Sequence, residues 1–186
     1  MKDHDKFLFN SISIEDYLNA KRERIIEQEN EIRNILTTEN KLIFIAKLIS
    51  ENHLPLIIID FEKIRAKIVH NGARAYYAIP YNVEDLNIFK IQTASIPKVD
   101  ASDNNYDEVQ FDIELKYENG SLTDESINNA KSIRESYVNS LRESVNEINS
   151  SFECFNNELE GMLFALVDNR MKEIKAIKTL EVSLLN

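Results

Sequence analysis

Three histidines and one cysteine are the raw material for a metal site or an activated nucleophile in this chain. His4, His53 and His70 are scattered, with no second histidine or cysteine at ligand spacing, which argues against zinc. Cys154 lies between Phe152 and Phe155 with no histidine nearby in sequence to take its proton, so it reads as a half-buried helix cysteine. Asp100, Asp103, Asn105 and Asp107 approach the donor spacing of a calcium loop. That loop needs a glycine at its sixth position and a glutamate at its last, and here Phe111 occupies the last place. Gly72, Gly120 and Gly161 stand alone, so neither a phosphate-cradling loop nor a dinucleotide fingerprint is present. Carboxylates are too numerous for an acid–base pair to stand out. One basic and aromatic patch remains, Arg65, Lys67, Arg74, Tyr76 and Tyr77, of the kind that can stack and charge-pair with single-stranded nucleic acid. No catalytic residue, metal ligand or cofactor contact is expected, and the chain does not read as an enzyme.

Composition narrows the partners. The formal net charge is −10, and an acidic chain repels phosphate backbones, so nucleic acid is not the expected ligand. The acid is concentrated: Asp100, Asp103, Asp107, Glu108, Asp112, Glu114 and Glu118 face only Lys98 and Lys116. Such a cluster suits a solvated face or a basic partner. A single cysteine allows no internal disulfide. Met1 to Asn10 lacks the apolar stretch of a signal peptide, and nowhere do the roughly 18 to 20 apolar residues of a membrane span occur. A cytoplasmic protein without a membrane partner is the expectation.

Only three glycines and three prolines favour long helices with few connections. Residues 13–52 carry a helical pattern, first as a sparse stripe (Ile14, Leu18, Ile25, Ile32, Leu36), with a kink at Thr37 to Asn40, then as a denser helix from Lys41. His53-Leu-Pro55 ends it. Residues 56–117 read as an antiparallel sheet. Asn71-Gly72 fits a two-residue hairpin turn, which pairs Ile68 with Ala75, Ala66 with Tyr77 and Ile64 with Ile79 on one apolar face. Phe89, Ile91 and Thr93 suggest a third strand, and Val109 to Tyr117 alternate as a strand with one wet face. Asp100 to Tyr106 between them reads as a polar loop.

Residues 121–183 read as one long helix, capped by Ser121 or Thr123, with possible breaks at Ser150-Ser151 or Gly161. Its apolar residues Val138, Leu141, Val145, Ile148, Phe152, Phe155, Leu159, Met162 and Leu166 alternate steps of three and four. That spacing keeps a narrow stripe on one side and calls for a helical partner, in the same chain or another. After Gly161 the stripe drifts to Leu163, Val167, Met171, Ile174 and Ile177. The fold class is therefore α+β: a helical stalk, in which the N-terminal helix pairs with the long C-terminal one, and a small antiparallel sheet, all in one domain over 1–186.

The stretch Phe155-Asn-Asn-Glu-Leu-Glu-Gly161, followed by Val167-Asp-Asn-Arg170 and Lys172, resembles part of a bacterial family of non-catalytic N-terminal modules that often precede a restriction-endonuclease-like domain. Ala78-Ile-Pro-Tyr81 with Leu86 and Phe89 resembles the aromatic motif that follows the hairpin of that module, and the likeness covers roughly 54–184. It implies that Phe155, Leu159 and Gly161 are packing positions and that Asn156 and Arg170 are polar positions of the motif. The family's arginine pair is here Arg170-Met171, its glycine-proline motif is replaced by Glu181-Val-Ser-Leu-Leu185, and the nuclease part is not in this sequence. The resemblance thus implies the sensing, regulatory or docking half of a prokaryotic defence-type system. The leading expectation is a module that self-associates, most simply as a dimer, through the stripe from Val138 to Leu166, and that regulates a separate effector, a nuclease being one candidate. Two alternatives stand beside it: an acidic inhibitor of a nucleic-acid enzyme, acting through the Asp100 to Glu118 cluster, and nucleic-acid binding by the hairpin patch.

Overall fold

Residues Asp124–Leu185 form a single unbroken helix, α3. Thr123 starts it: its hydroxyl accepts the Ser126 N–H at 3.1 Å, satisfying one of the free donors of the first turn, while Asp124 and Glu125 favour the positive end. Neither suspected break occurs. The Ser151 hydroxyl donates to the Glu147 carbonyl at 3.1 Å, one turn back, so it leaves the helix intact. Gly161 lacks a side chain but keeps its backbone donor, and the long flanking helix carries it through. The computed structural model describes residues 12–32, 36–69, 74–83, 88, 91–93, 101–104, 108–118 and 121–185. The fold is α+β: the described residues form one 62-residue helix, two shorter helices and a small antiparallel sheet. Where one domain was expected, the chain divides into two compact units, and α3 contributes to both.

The first unit comprises residues 1–14 and 55–151. Its sheet is built from β2 (Ile58–Ile59), β3 (Arg65–Val69), β4 (Arg74–Asn82), β6 (Ala101–Asn104) and β7 (Glu108–Glu114). β4 is the hub: β2 and β3 pair along one side of it, β7 pairs along the other, and β6 follows β7, all antiparallel. The expected register holds, with Ala66 opposite Tyr77 and Ile68 opposite Ala75; the Asn71-Gly72 turn lies outside the described residues. β1 (Ile12–Ser13) and β5 (Ile91–Gln92) form a separate parallel pair. The third strand expected near Ile91 therefore exists, but not as a member of the antiparallel sheet, and Phe89 lies outside the described residues. β8 (Tyr117–Glu118) and β9 (Ser121–Leu122) make a small hairpin just before α3.

Two strand readings need correction. Ala101 to Asn104, read as polar loop, is a strand on β7. An edge strand needs only backbone hydrogen bonds, so its side-chain pattern announces nothing. The apolar face expected to be shared across the hairpin is one-sided: Ala75, Tyr77 and Ile79 are buried, but Ala66 is exposed and Ile68 is 58% exposed. β3 is an outer strand, and no described element covers its side of the sheet. The core of this unit instead forms where the sheet meets α3. Tyr77 stacks on Phe111 with centroids 5.0 Å apart, and Phe111 meets the Tyr137 ring at 4.0 Å.

The second unit comprises residues 15–54 and 152–186. α1 (Ile14–Ile32) and α2 (Lys41–Asn52) accompany α3 there. Contacts rise together along α1 and α3 (Tyr17 with Phe152, Arg22 with Glu158, Glu29 with Arg170), so these helices run parallel. α2 runs the other way, with Lys41 on Asp168 and the following Leu54 on Asn156. The kink expected at Thr37 to Asn40 is thus a chain reversal. Thr37 and Asn40 hold it reciprocally: the Thr37 N–H donates to the Asn40 side-chain oxygen at 2.7 Å, and the Asn40 N–H to the Thr37 hydroxyl at 3.3 Å.

Candidate interaction site

The stripe singled out on α3 proves to be core. Val138, Leu141, Val145 and Ile148 are buried in the first unit, and Phe152, Phe155 and Leu159 in the second. Met162 and Leu166 are only half-buried, because past Gly161 the covered face moves to Leu163 and Val167. An ideal helix drifts about 20° per heptad against a strict 3.5-residue repeat, so the inward side shifts by one position over a long run. Seven of these nine positions pack within the chain, so they do not offer a continuous seam to a second helix.

Asn156 and Arg170 acquire definite roles. The Asn156 side chain accepts the Leu54 N–H and donates to the Leu54 carbonyl, both at 2.9 Å, as a strand neighbour would. One heptad earlier, Asn149 does the same for Ile57, at 2.8 and 3.0 Å, in the other unit. Each satisfies both polar groups of a backbone residue whose segment has no strand beside it. Arg170 meets Glu29 with two parallel hydrogen bonds, 2.8 and 3.0 Å, and also reaches Asn30 and Glu173. The hydrogen bonds it donates to the Glu29 carboxylate hold the guanidinium pKa above its ordinary value. Glu29 is only 1% exposed and occupies the place on α1 where spacing calls for an apolar residue. Nothing in the sequence distinguishes it from its acidic neighbours; only the arrival of Arg170 identifies it.

The remaining candidates are largely engaged. In the hairpin patch, Arg65 pairs with Glu108, and Arg74 meets Asp112 at 2.6 Å. The same two pairs draw Glu108 and Asp112 out of the acidic cluster, so the nucleic-acid and inhibitor readings both lose charged groups. Asp100 and Asp107 lie outside the described residues, as do His4 and His70. Cys154 is exposed, where a half-buried position was expected, with its thiol 3.7 Å from Glu158. Among the described residues, no group of three or more histidine, cysteine or carboxylate side chains is placed to hold a metal. No described helix is long and apolar enough to cross a membrane. Gly161, a packing position by resemblance, has open space where a Cβ would sit.

What stays open lies on the distal end of α3. From Lys175 to Leu184 every residue is exposed, including Ile177 at 42%, Leu180 at 62% and Leu184 at 85%. Their spacing of three and four continues the helix's apolar repeat beyond the level reached by α1 and α2. α2 adds two exposed apolar side chains, Leu42 beside its buried face and Ile43 opposite it. Compared with protein families, curated proteins and solved structures, the chain matched none.

Proposed function

We propose that this chain is a non-enzymatic interaction module that self-associates through the last turns of α3 and recruits or regulates a separate effector. The observation that carries the reading is the apolar repeat that outruns its own bundle, at Ile177, Leu180 and Leu184. A helix surface of this spacing is stabilised when a second helix covers it. A second copy is the occupant that fits. In a parallel pair with Ile177, Leu180 and Leu184 at the seam, each apolar side chain meets its own counterpart. The self-association expected of the stripe thus moves from Val138–Leu166, which is core, to the exposed continuation of that helix. The effector and its prokaryotic defence setting rest on the resemblance of the Phe155 to Arg170 segment alone.

Light scattering on the purified chain tests this. Wild type is expected to run as a dimer, and Ile177→Glu with Leu184→Glu as a monomer of unchanged helicity. A wild-type monomer at the highest soluble concentration would falsify the proposal.

A further inference from the structure

In the first unit a groove of about 430 Å³ runs between the 3₁₀ turn Phe61–Lys63 and α3. Phe61 and Ile64 line one side; Arg134, Val138 and Arg142 line the other. The three helix residues are four apart, so they share a ridge, with the arginines about 12 Å from each other along the axis and Val138 between them. Arg142 sits over the Phe61 ring at 4.8 Å and donates to the Asn139 side chain at 3.3 Å. It meets no carboxylate among the described residues. Ring stacking orients the guanidinium without neutralising it. Among the described residues Arg134 has one ion pair, with its neighbour Glu135 at 3.5 Å, an exposed pair. By contrast Arg22, Arg65, Arg74 and Arg170 each meet a carboxylate on another segment. Two cations flanking an apolar floor form an unusual surface for a chain of net charge −10.

We infer that this groove docks a short extended segment of a partner protein, in which an apolar residue lies midway between two carboxylates. An extended peptide rises about 3.3 Å per residue and places alternate side chains on one face. Side chains at positions one, three and five therefore span about 13 Å on one side, matching Arg134, the Val138–Ile64 floor and Arg142. Arginine at each end suits carboxylates through its planar fork of donors. Glu62 and Glu135 line the same groove, so a continuous row of phosphates fits it less well than a peptide that carries acid only at the two arginine positions. The inference deepens the recruiting role proposed above, and it does not depend on self-association through α3.

Panning a random heptapeptide phage library on the full chain tests it. Enriched peptides are expected to carry acid, any residue, apolar residue, any residue, acid. Fluorescence anisotropy with the best labelled peptide is expected to show binding weakened about tenfold by Arg134→Ala or Arg142→Ala, each the loss of one charge-assisted contact. Arg24→Ala, an exposed change in the other unit, serves as the unaffected control. Enrichment without that acidic spacing, or equal binding by an Arg134→Glu/Arg142→Glu double variant that is folded by circular dichroism, overturns the inference. So does an oligothymidylate probe that binds more tightly than the peptide and is lost in the same double variant. Light scattering on the same samples separates the two proposals: a monomer that still binds peptide removes the α3 dimer and leaves the groove, and a dimer that binds none does the reverse.

Discussion

The two units use one helix in two ways. In the first, α3 lies against a sheet and the contact is aromatic, Tyr77 on Phe111 on Tyr137. In the second, α3 packs with two helices and the contact is a narrow apolar seam interrupted by the Glu29–Arg170 pair. Both units share one device, an asparagine of α3 that clamps a backbone residue, Asn149 on Ile57 and Asn156 on Leu54. Their weak points differ accordingly. The first unit buries a hydroxyl that has no hydrogen-bond partner among the described residues, that of Tyr137. The second buries a carboxylate that depends on one arginine.

The largest effect should come from that arginine. Arg170→Met leaves Glu29 buried and uncompensated, and urea unfolding should show a loss of about 3 kcal/mol. Removing both charges, with Glu29→Leu added, should restore most of it. If the single change costs nothing, the second unit does not rest on its ion pair and the contrast fails.

Next come the two clamps. Asn149→Ala and Asn156→Ala each strip a backbone N–H and carbonyl of their partners, for about 2 kcal/mol apiece, since partial exposure lets water replace some of the loss. Hydrogen exchange should read this locally, with the Ile57 amide losing protection in the first variant and the Leu54 amide in the second. Loss at both amides from either change would show the units to be one cooperative body.

Tyr137→Phe should stabilise the first unit by about 1 kcal/mol, because it deletes a buried donor with no acceptor. Burial also pushes the Tyr137 pKa above its ordinary value of 10.0. The folded state then keeps its proton where the unfolded chain loses it. Stability from this group is complete below pH 10 and falls as pH rises beyond it. Thermal melts at pH 8 and 10.5 should therefore show a steeper loss for wild type than for Tyr137→Phe. The smallest effect belongs to Gly161→Ala in the second unit, a gain of about 0.7 kcal/mol by the same melts, since the added methyl meets nothing within 4 Å. A loss there would mean that the helix needs its glycine for a contact outside this chain.

Much of the architecture was legible along the chain because it is written in local periodicity. A period of two marked β7, although the strand ends at Glu114 and buries Glu108 and Gln110 on the side expected to be wet. A three-and-four repeat marked α3, and the hairpin reading anticipated the Ala66–Tyr77 and Ile68–Ala75 pairs. The drift of the stripe past Gly161 was also visible, since helical geometry imposes it whatever the partner. Elements carried by backbone alone, such as β6 on β7 and β1 beside β5, left no side-chain signature. The groove was invisible for a related reason: Phe61 and Arg142 are 81 positions apart, and neither is unusual where it stands.

Residue order by itself settled which of the longer segments coil and which extend, because their preference is decided by neighbours three, four or two places away. It also settled that α3 would present one greasy side. Which surface covers that side was a matter of long-range packing. Only the folded chain shows that Val138 to Leu159 are already covered while Ile177 to Leu184 are not, and that Glu29, one acid among many, is the carboxylate that Arg170 requires. Burial depends on what arrives from far along the chain, and no short-range pattern encodes that.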